Sequence, residues 1–196
     1  MAAAVGFLRP GAIDWAKLGD VNGDYALPDE VEDIASFLVD LKKDRVLAVL
    51  RGKHYGTKAT YNHERYRVAW SDDGRYLVES RSWKWHTESA TLYALNGDGA
   101  VPSSMDLLPV AKEQLRIVAE RDHKVARQKF EETYVVSLWK QEVDSTGQVT
   151  LEVVGEVPKS EEDPSVSLLI RFTVKADDKG RLSLETLKVE EKKTGE

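Results

Sequence analysis

Residues 108–131, LPVAKEQLRIVAERDHKVARQKFE, decide the fold, because their apolar side chains recur at helical spacing and that period ends directly afterwards. Strand-like stretches follow at 133–143, 147–157, 165–175 and 181–189, separated by turn sequences and one polar loop. The pattern predicts one amphipathic helix lying along an antiparallel sheet. The apolar stripe of the helix consists of Ala111, Leu115, Val118, Ala119, Val125, Ala126 and Phe130, and Asp122 interrupts it.

The same order, helix first and strands second, occurs earlier in the chain. Acidic residues follow Pro28, and Lys42 and Lys43 end the segment, so the charges of residues 28–43 complement a helix dipole. Strands are expected at 45–51, 63–71, 75–85 and 88–96. We therefore predict an α+β fold of two helix-plus-antiparallel-sheet units. One long sheet carrying two helices is the alternative.

The predicted organisation is a loop-rich lead-in over 1–27, a first unit over 28–100, a second unit over 101–190 and a polar tail over 191–196. Two segments echo each other: Arg-Tyr-Arg-Val before an Asp-Asp-Gly turn (65–75), and Arg-Phe-Thr-Val before an Asp-Asp-Lys-Gly turn (171–181). An internal duplication is one interpretation of the echo. The turn chemistry that hairpins share is the other.

Composition excludes several classes of protein. The chain of 196 residues has no cysteine, so disulfides, thiolate metal sites and cysteine nucleophiles are excluded. Its formal charge of −6 makes nucleic acid an unlikely partner, although residues 45–86 are locally basic. We find no apolar run of the ~18–20 residues that a membrane span needs, and no signal-peptide pattern. We expect a soluble protein of unknown compartment, with a trimmed extracytoplasmic protein as one interpretation.

The hairpin around Gly74 carries the prediction of a binding site. A three-residue loop at 72–74 would pair Ser71 with Arg75 and would place nearly all large apolar groups on one side. The alternative two-residue loop pairs Trp70 with Leu77 and mixes the two faces. We therefore expect the first register.

In that register one face carries the predicted partner-binding residues, namely Arg65, Arg67, Arg81, Trp83 and Trp85. Arg and Trp are enriched in interface hot spots, and both stack on sugars and bases. We therefore predict a non-catalytic binding or interaction protein whose partner is an acidic protein surface or a glycan. The competing interpretation makes Trp83 and Trp85 core residues, since Trp is highly buried on average.

Two short segments resemble known families. Residues 70–76, WSDDGRY, resemble one hairpin of a β-propeller blade, but a single copy cannot close a propeller and no function is implied. Residues 18–25, LGDVNGDY, resemble the start of a dockerin or EF-hand calcium loop. That resemblance implies a Ca²⁺ site formed by Asp20, Asn22 and Asp24, and a calcium-stabilised module. Tyr25 and Val31 depart from it, because they stand where those families have glycine and a carboxylate.

Catalytic motifs are missing from the sequence. We find no GxSxG, HExxH, P-loop or GxGxxG pattern, and the histidines (His54, His63, His86 and His123) are scattered. We therefore favour a protein that is not an enzyme. The alternative is a small enzyme with a carboxylate and histidine site in the concavity of one sheet.

Overall fold

A computed structural model describes residues 3–8, 35–40, 45–49, 64–84, 86–95, 103–177 and 181–192. Within these ranges the chain forms eleven strands and two helices. They are β1 Ala3–Leu8, β2 Ala35–Asp40, β3 Arg45–Val49, β4 Glu64–Trp70, β5 Tyr76–Trp83, β6 His86–Ala94, β7 Ser103–Asp106, α1 Leu108–His123, α2 Arg127–Thr133, β8 Val135–Val143, β9 Gln148–Glu156, β10 Val166–Ala176 and β11 Leu182–Glu191.

The described strands form three antiparallel sheets, in the orders β1-β2-β3, β4-β5-β6-β7 and β11-β10-β9-β8. The two helices lie in the chain between the two four-stranded sheets. This arrangement confirms the predicted α+β class with antiparallel sheets. The first four-stranded sheet ends at Asp106, beyond residue 100, because β7 pairs with β6.

Both four-stranded sheets contribute to one hydrophobic core around α1. Leu115 and Ala119 of α1 have no exposed surface and belong to the same cluster as Leu92 of β6, Leu151 of β9 and Ile170 of β10. The amphipathic period of the helix explains this, because its buried positions recur every three or four residues. Burying a Leu or Ile side chain contributes about 1.5–3 kcal/mol. The two sheets are therefore held on one helix.

The helix predicted over 28–43 is wrong where the structure describes it. Residues 35–40 are the central strand β2, which pairs with β1 on one side and β3 on the other. The short apolar run around Leu38 fits a buried strand as well as a helix face, and pairing on both sides decides between them. The rest of 28–43 lies outside the described residues. Residues 3–8 likewise form β1, although a loop was predicted there.

The helix predicted over 108–131 exists but is broken near its middle. Lys124 adopts a left-handed conformation (φ 59°) and ends α1, and the N–H of Val125 donates to the carbonyl of Ala119 at 3.0 Å. The chain then turns into α2, and Val125 is buried. Asp122, the polar residue in the apolar stripe, lies just before this break.

The segments that echo each other in sequence fall on different parts of the two sheets. Residues 65–75 belong to β4 and the following turn, which start the first four-stranded sheet. Of residues 171–181, the first six belong to β10, a central strand of the second, and residues 178–180 lie outside the described ranges. Internal duplication and the division into units at residues 28–100 and 101–190 stay predictions.

The turn between β8 and β9 meets the turn between β4 and β5. Gly147 has φ +81°, and a Cβ placed on it would lie 3.1 Å from the ring of Tyr76 and 3.2 Å from the carbonyl oxygen of Val174. Arg75 adds a hydrogen bond of 2.6 Å from its guanidinium to the carbonyl of Ser145. Glycine is therefore required both by the backbone and by the close approach of the two turns.

We expect Gly147→Ala to lower the free energy of unfolding by about 1–3 kcal/mol, because alanine is strained at this φ and crowds Tyr76. Gly155→Ala is the matched control. A Cβ there would have its nearest neighbours at 3.5 Å, an ordinary contact with Leu115. Urea denaturation of both variants checks the prediction, and equal stabilities would contradict it.

Candidate binding surface around Trp139

The register of the β4–β5 hairpin differs from the predicted one by one residue. Trp70 pairs with Leu77, and Tyr66 pairs with Arg81. These are the pairs of the register that the sequence disfavoured. The predicted loop at 72–74 is also wrong, because Ser71 pairs with Tyr76 and leaves a four-residue loop at 72–75.

Turn chemistry explains the observed register. The hydroxyl of Ser71 accepts a hydrogen bond from the N–H of Tyr76 at 2.9 Å and donates one to Asp73 Oδ1 at 2.9 Å. The same carboxylate accepts the N–H of Arg75 and pairs with its guanidinium. Gly74, with φ 69°, donates to the carbonyl of Ser71 at 2.9 Å. Side chains therefore close this loop at both ends.

In addition, the first four-stranded sheet buries apolar side chains on both of its faces. Leu77 and Tyr93 form a small core with Leu38 of β2, whereas Val78 and Leu92 belong to the main core around α1. Apolar groups are therefore required on both faces. Apolar groups would be segregated on one side only if the other face of this sheet met solvent.

The predicted Arg and Trp face is consequently not formed as one face. Arg67 lies opposite Ser80 and Arg81 lies opposite Tyr66. Because successive residues of a strand project to opposite faces, Arg67 and Arg81 lie on different sides of the sheet. Arg81 is paired with Glu88, and its side chain is 18% exposed. Trp83 is half-buried, Arg65 pairs with Ser82, and Trp85 lies outside the described residues.

Arg67 instead extends to β8, the edge strand of the other four-stranded sheet. Its guanidinium donates a hydrogen bond to the backbone carbonyl of Trp139. Two further hydrogen bonds connect β8 to the first four-stranded sheet. The N–H of Leu138 donates to Thr87 Oγ1 at 2.8 Å, and the side-chain amide of Gln141 donates to the carbonyl of Val78 at 3.0 Å. The backbone on both sides of Trp139 is therefore held from across the molecule.

Trp139 is the extra residue of a β-bulge. Leu138 pairs with Val153 and Lys140 pairs with Glu152, so Trp139 has no partner on β9. Its side chain is 62% exposed, more than any other large apolar side chain in the described part of the chain. The bulge presents an indole ring to solvent from an anchored strand.

The side chains next to Trp139 are charged but mutually neutralised. Lys140 forms an ion pair with Glu142 at 2.8 Å, and Glu152 pairs with Lys192 at 2.9 Å. Arg67 offers five N–H donors in a planar fork, and its bond to the backbone of Trp139 uses one of them. We define the Trp139 surface as Trp139, Arg67, Lys140 and Glu142. It combines an apolar anchor with a charged rim, the composition of an interface hot spot.

The sequence contains no signal for Trp139, because the change of phase that marks it becomes visible only when burial is known. Val136 and Leu138 are buried at even positions, whereas Val143 is buried at an odd one. A regular strand cannot turn both sets inward, so one extra residue is needed between Leu138 and Val143. The change of phase requires a bulge among residues 139–142, and the structure places it at Trp139.

The other predicted sites fall largely outside the described residues. Asp20, Asn22 and Asp24 of the calcium loop lie there, as do His54 and His63. Within the described ranges, no three His, Asp or Glu side chains come together as metal ligands would. His123 contacts Glu191, with 2.6 Å between Nε2 and Oε1. Neither described helix combines the length and hydropathy that a membrane crossing requires.

A pocket of about 270 Å³ lies beside the two helices. Its Arg116 forms ion pairs with Glu113 at 2.5 Å and Glu120 at 2.6 Å, and these hydrogen bonds raise the pKa of the guanidinium. His86 is not among the lining residues, so the pocket is not the predicted acid and histidine site. The lining consists of Pro109, Lys112, Glu113, Arg116, Phe130, Glu131, Tyr134 and Val136.

Comparison with known proteins adds no family. No family model matches the chain, and no curated protein is significantly similar to it in sequence. Functional inference therefore depends on the geometry described above.

The loop that sets the register predicts a pH dependence of stability. Desolvation opposes ionisation of Asp73, but hydrogen bonds from the N–H and guanidinium of Arg75 and from Ser71, with the charge of Arg75, outweigh it. Together they lower the pKa of Asp73 from 3.8 to about 2. A lowered pKa in the folded state stabilises the fold above pH 3.8, and this stabilisation is lost as the pH falls towards 2.

We expect the free energy of unfolding to fall more steeply between pH 5 and pH 2 in the wild type than in Asp73→Asn. Urea denaturation at four pH values in this interval measures the difference. Asp72→Asn, which removes one negative charge from the same loop, is the control. Parallel curves for the wild type and Asp73→Asn would contradict the prediction.

Proposed function

We propose that this chain is a non-catalytic binding protein that holds a protein partner through the Trp139 surface. The observation that carries the proposal is the 62% exposure of Trp139 on a strand that three hydrogen bonds fasten to the other sheet, two of them through side chains of that sheet (Arg67 and Thr87) and one through Gln141 of β8. Trp is usually well buried, so a chain that exposes one at an anchored position has a free-energy gain available on binding.

Preorganisation supports this role. Binding loses free energy when backbone and side chains must be ordered at the interface. The bonds from Arg67 and Thr87 order the backbone beside Trp139 before any partner arrives. Much of the indole surface can therefore contribute to affinity.

The chemistry of the surface indicates the kind of partner. The indole requires an apolar pocket, and the remaining donors of Arg67 match a carboxylate. Ion-paired Lys140 and Glu142 form a rim that suits a mixed protein surface better than a uniformly charged one. The partner is therefore a protein with an acidic group beside an apolar pocket, and a glycan stacked on the indole is the competing occupant.

The remaining predictions from the sequence are independent of the Trp139 surface, apart from Arg67. Arg67 is the member of the predicted set that belongs to the Trp139 surface. A partner-binding role for Arg65, Arg81, Trp83 and Trp85 stays a prediction, although they do not share one face with Arg67, and so do the calcium-stabilised module and the small enzyme.

The test begins with affinity capture on the wild-type protein, followed by purification of each captured protein and titration against defined variants. We expect Trp139→Ala to raise the dissociation constant of at least one purified partner about 30-fold or more, the size of a hot-spot effect. Arg67→Lys keeps the charge and loses the planar fork, so it should weaken binding by a smaller factor.

Ile117→Ala is the matched control, because Ile117 is an exposed apolar residue (36%) on α1. It should leave the dissociation constant within twofold, and all variants should keep the circular dichroism spectrum of the wild type. The proposal fails if every purified partner binds Trp139→Ala as tightly as wild type. It also fails if Trp139→Ala weakens binding to glycans on an array but to no protein partner.

A further inference from the structure

The outermost strand of the second four-stranded sheet, β11, is exposed along most of its length. Leu184 is 37% exposed and Leu187 is 40% exposed, and among the residues of β11 only Leu182 and Val189 are half-buried. The neighbouring strand β10 alternates regularly between buried and partly exposed positions. β11 is the last strand of its sheet in the described part of the chain, so along one edge it hydrogen-bonds to no described strand, although it approaches β7 of the other four-stranded sheet.

Hydrogen bonding shows which backbone groups of β11 point to that edge. The N–H of Lys192 donates to the carbonyl of Ser167 at 2.8 Å, so even-numbered residues from 186 onwards bond to β10. The N–H and carbonyl groups of Leu187, Val189 and Glu191 therefore point away from β10. These three residues form a regular edge that can accept another strand.

A bulge limits how long such an added strand can be. Thr173 pairs with Thr186 and Val174 pairs with Leu184, so Glu185 is an extra residue on β11. Bulges interrupt the edge of a sheet and hinder pairing there. The regular part of the edge is residues 187–191.

This five-residue edge is complementary to itself. Placed antiparallel to a second copy and centred on Val189, it sets Lys188 opposite Glu190 of that copy, and Glu190 opposite Lys188, on one face. On the other face, Val189 meets its own equivalent, and Leu187 lies opposite Glu191 and diagonal to the second Val189. Centring on Lys188 would oppose two lysines, and centring on Leu187 would extend the pairing to Glu185, the extra residue of the bulge.

We propose that two copies of this chain associate through their β11 edges, antiparallel and centred on Val189. The second four-stranded sheet becomes one continuous sheet across the two-fold axis. The half-exposed Leu187 side chains gain apolar neighbours, and the Trp139 surface stays free because β8 is the opposite edge of the same sheet. The contact is short, so the dimer is a weak one.

Sedimentation equilibrium between 10 and 500 µM tests the proposal, with single and paired charge reversals. We expect a reversible dimer for the wild type, and a dissociation constant at least tenfold higher for Lys188→Glu and for Glu190→Lys, because each opposes like charges. Lys188→Glu combined with Glu190→Lys restores opposite charges across the axis and should restore the dimer.

Lys140→Glu, a reversal on the opposite edge strand, is the control and should leave the dimer unchanged. A wild type that stays monomeric at 500 µM would overturn the proposal and would leave the edge to an extended segment of another protein. A dimer that the single reversals do not weaken, or that the paired reversal does not recover, would also overturn it.

Discussion

The arrangement of this molecule depends on the apolar face of α1, which packs against both four-stranded sheets. Leu115 and Ala119 have no exposed surface, and the core around them includes Leu92 of one sheet and Ile170 of the other. A helix in this position determines which side chains of each strand must turn inward. The geometry of the edges follows from that requirement.

Trp139 shows how far this constraint extends. The core requires Leu138 and Val143 of β8 to point inward, although they are an odd number of residues apart. The strand meets both requirements through a β-bulge, in which one extra residue has no partner on β9. The extra residue is Trp139, and side chains of the first four-stranded sheet hydrogen-bond to the backbone on either side of it. The exposure of Trp139 is therefore a consequence of the packing of the core.

The second four-stranded sheet could be predicted from the sequence because its signals are local. Strong alternation and good turn sequences place β8 to β11 within two residues of the expected ranges. The helix predicted over 28–43 fails because the apolar run around Leu38 is compatible with either structure, and pairing with β1 and β3 is a long-range effect. The break at Lys124 could not be predicted from apolar spacing, since Val125 and Phe130 also fit the apolar stripe of one continuous helix.

The candidate site was predictable only in part. Arg67 was singled out for its charge and its place on a basic hairpin, and its contact with the carbonyl of Trp139 lies 72 residues along the chain. No local sequence pattern predicts such a contact. The register was missed because the Ser71 and Asp73 hydrogen bonds outweigh the segregation of apolar groups on a sheet that is covered on both faces.

The most direct test of the shared core is native-state hydrogen exchange on Leu115→Ala. A cavity at this position costs about 2–5 kcal/mol. If α1 holds both sheets, the protected amides of β5 and β6 and those of β9 and β10 should all exchange faster, by similar factors. Faster exchange confined to one of the two sheets would contradict a common core, and the account of Trp139 that depends on it.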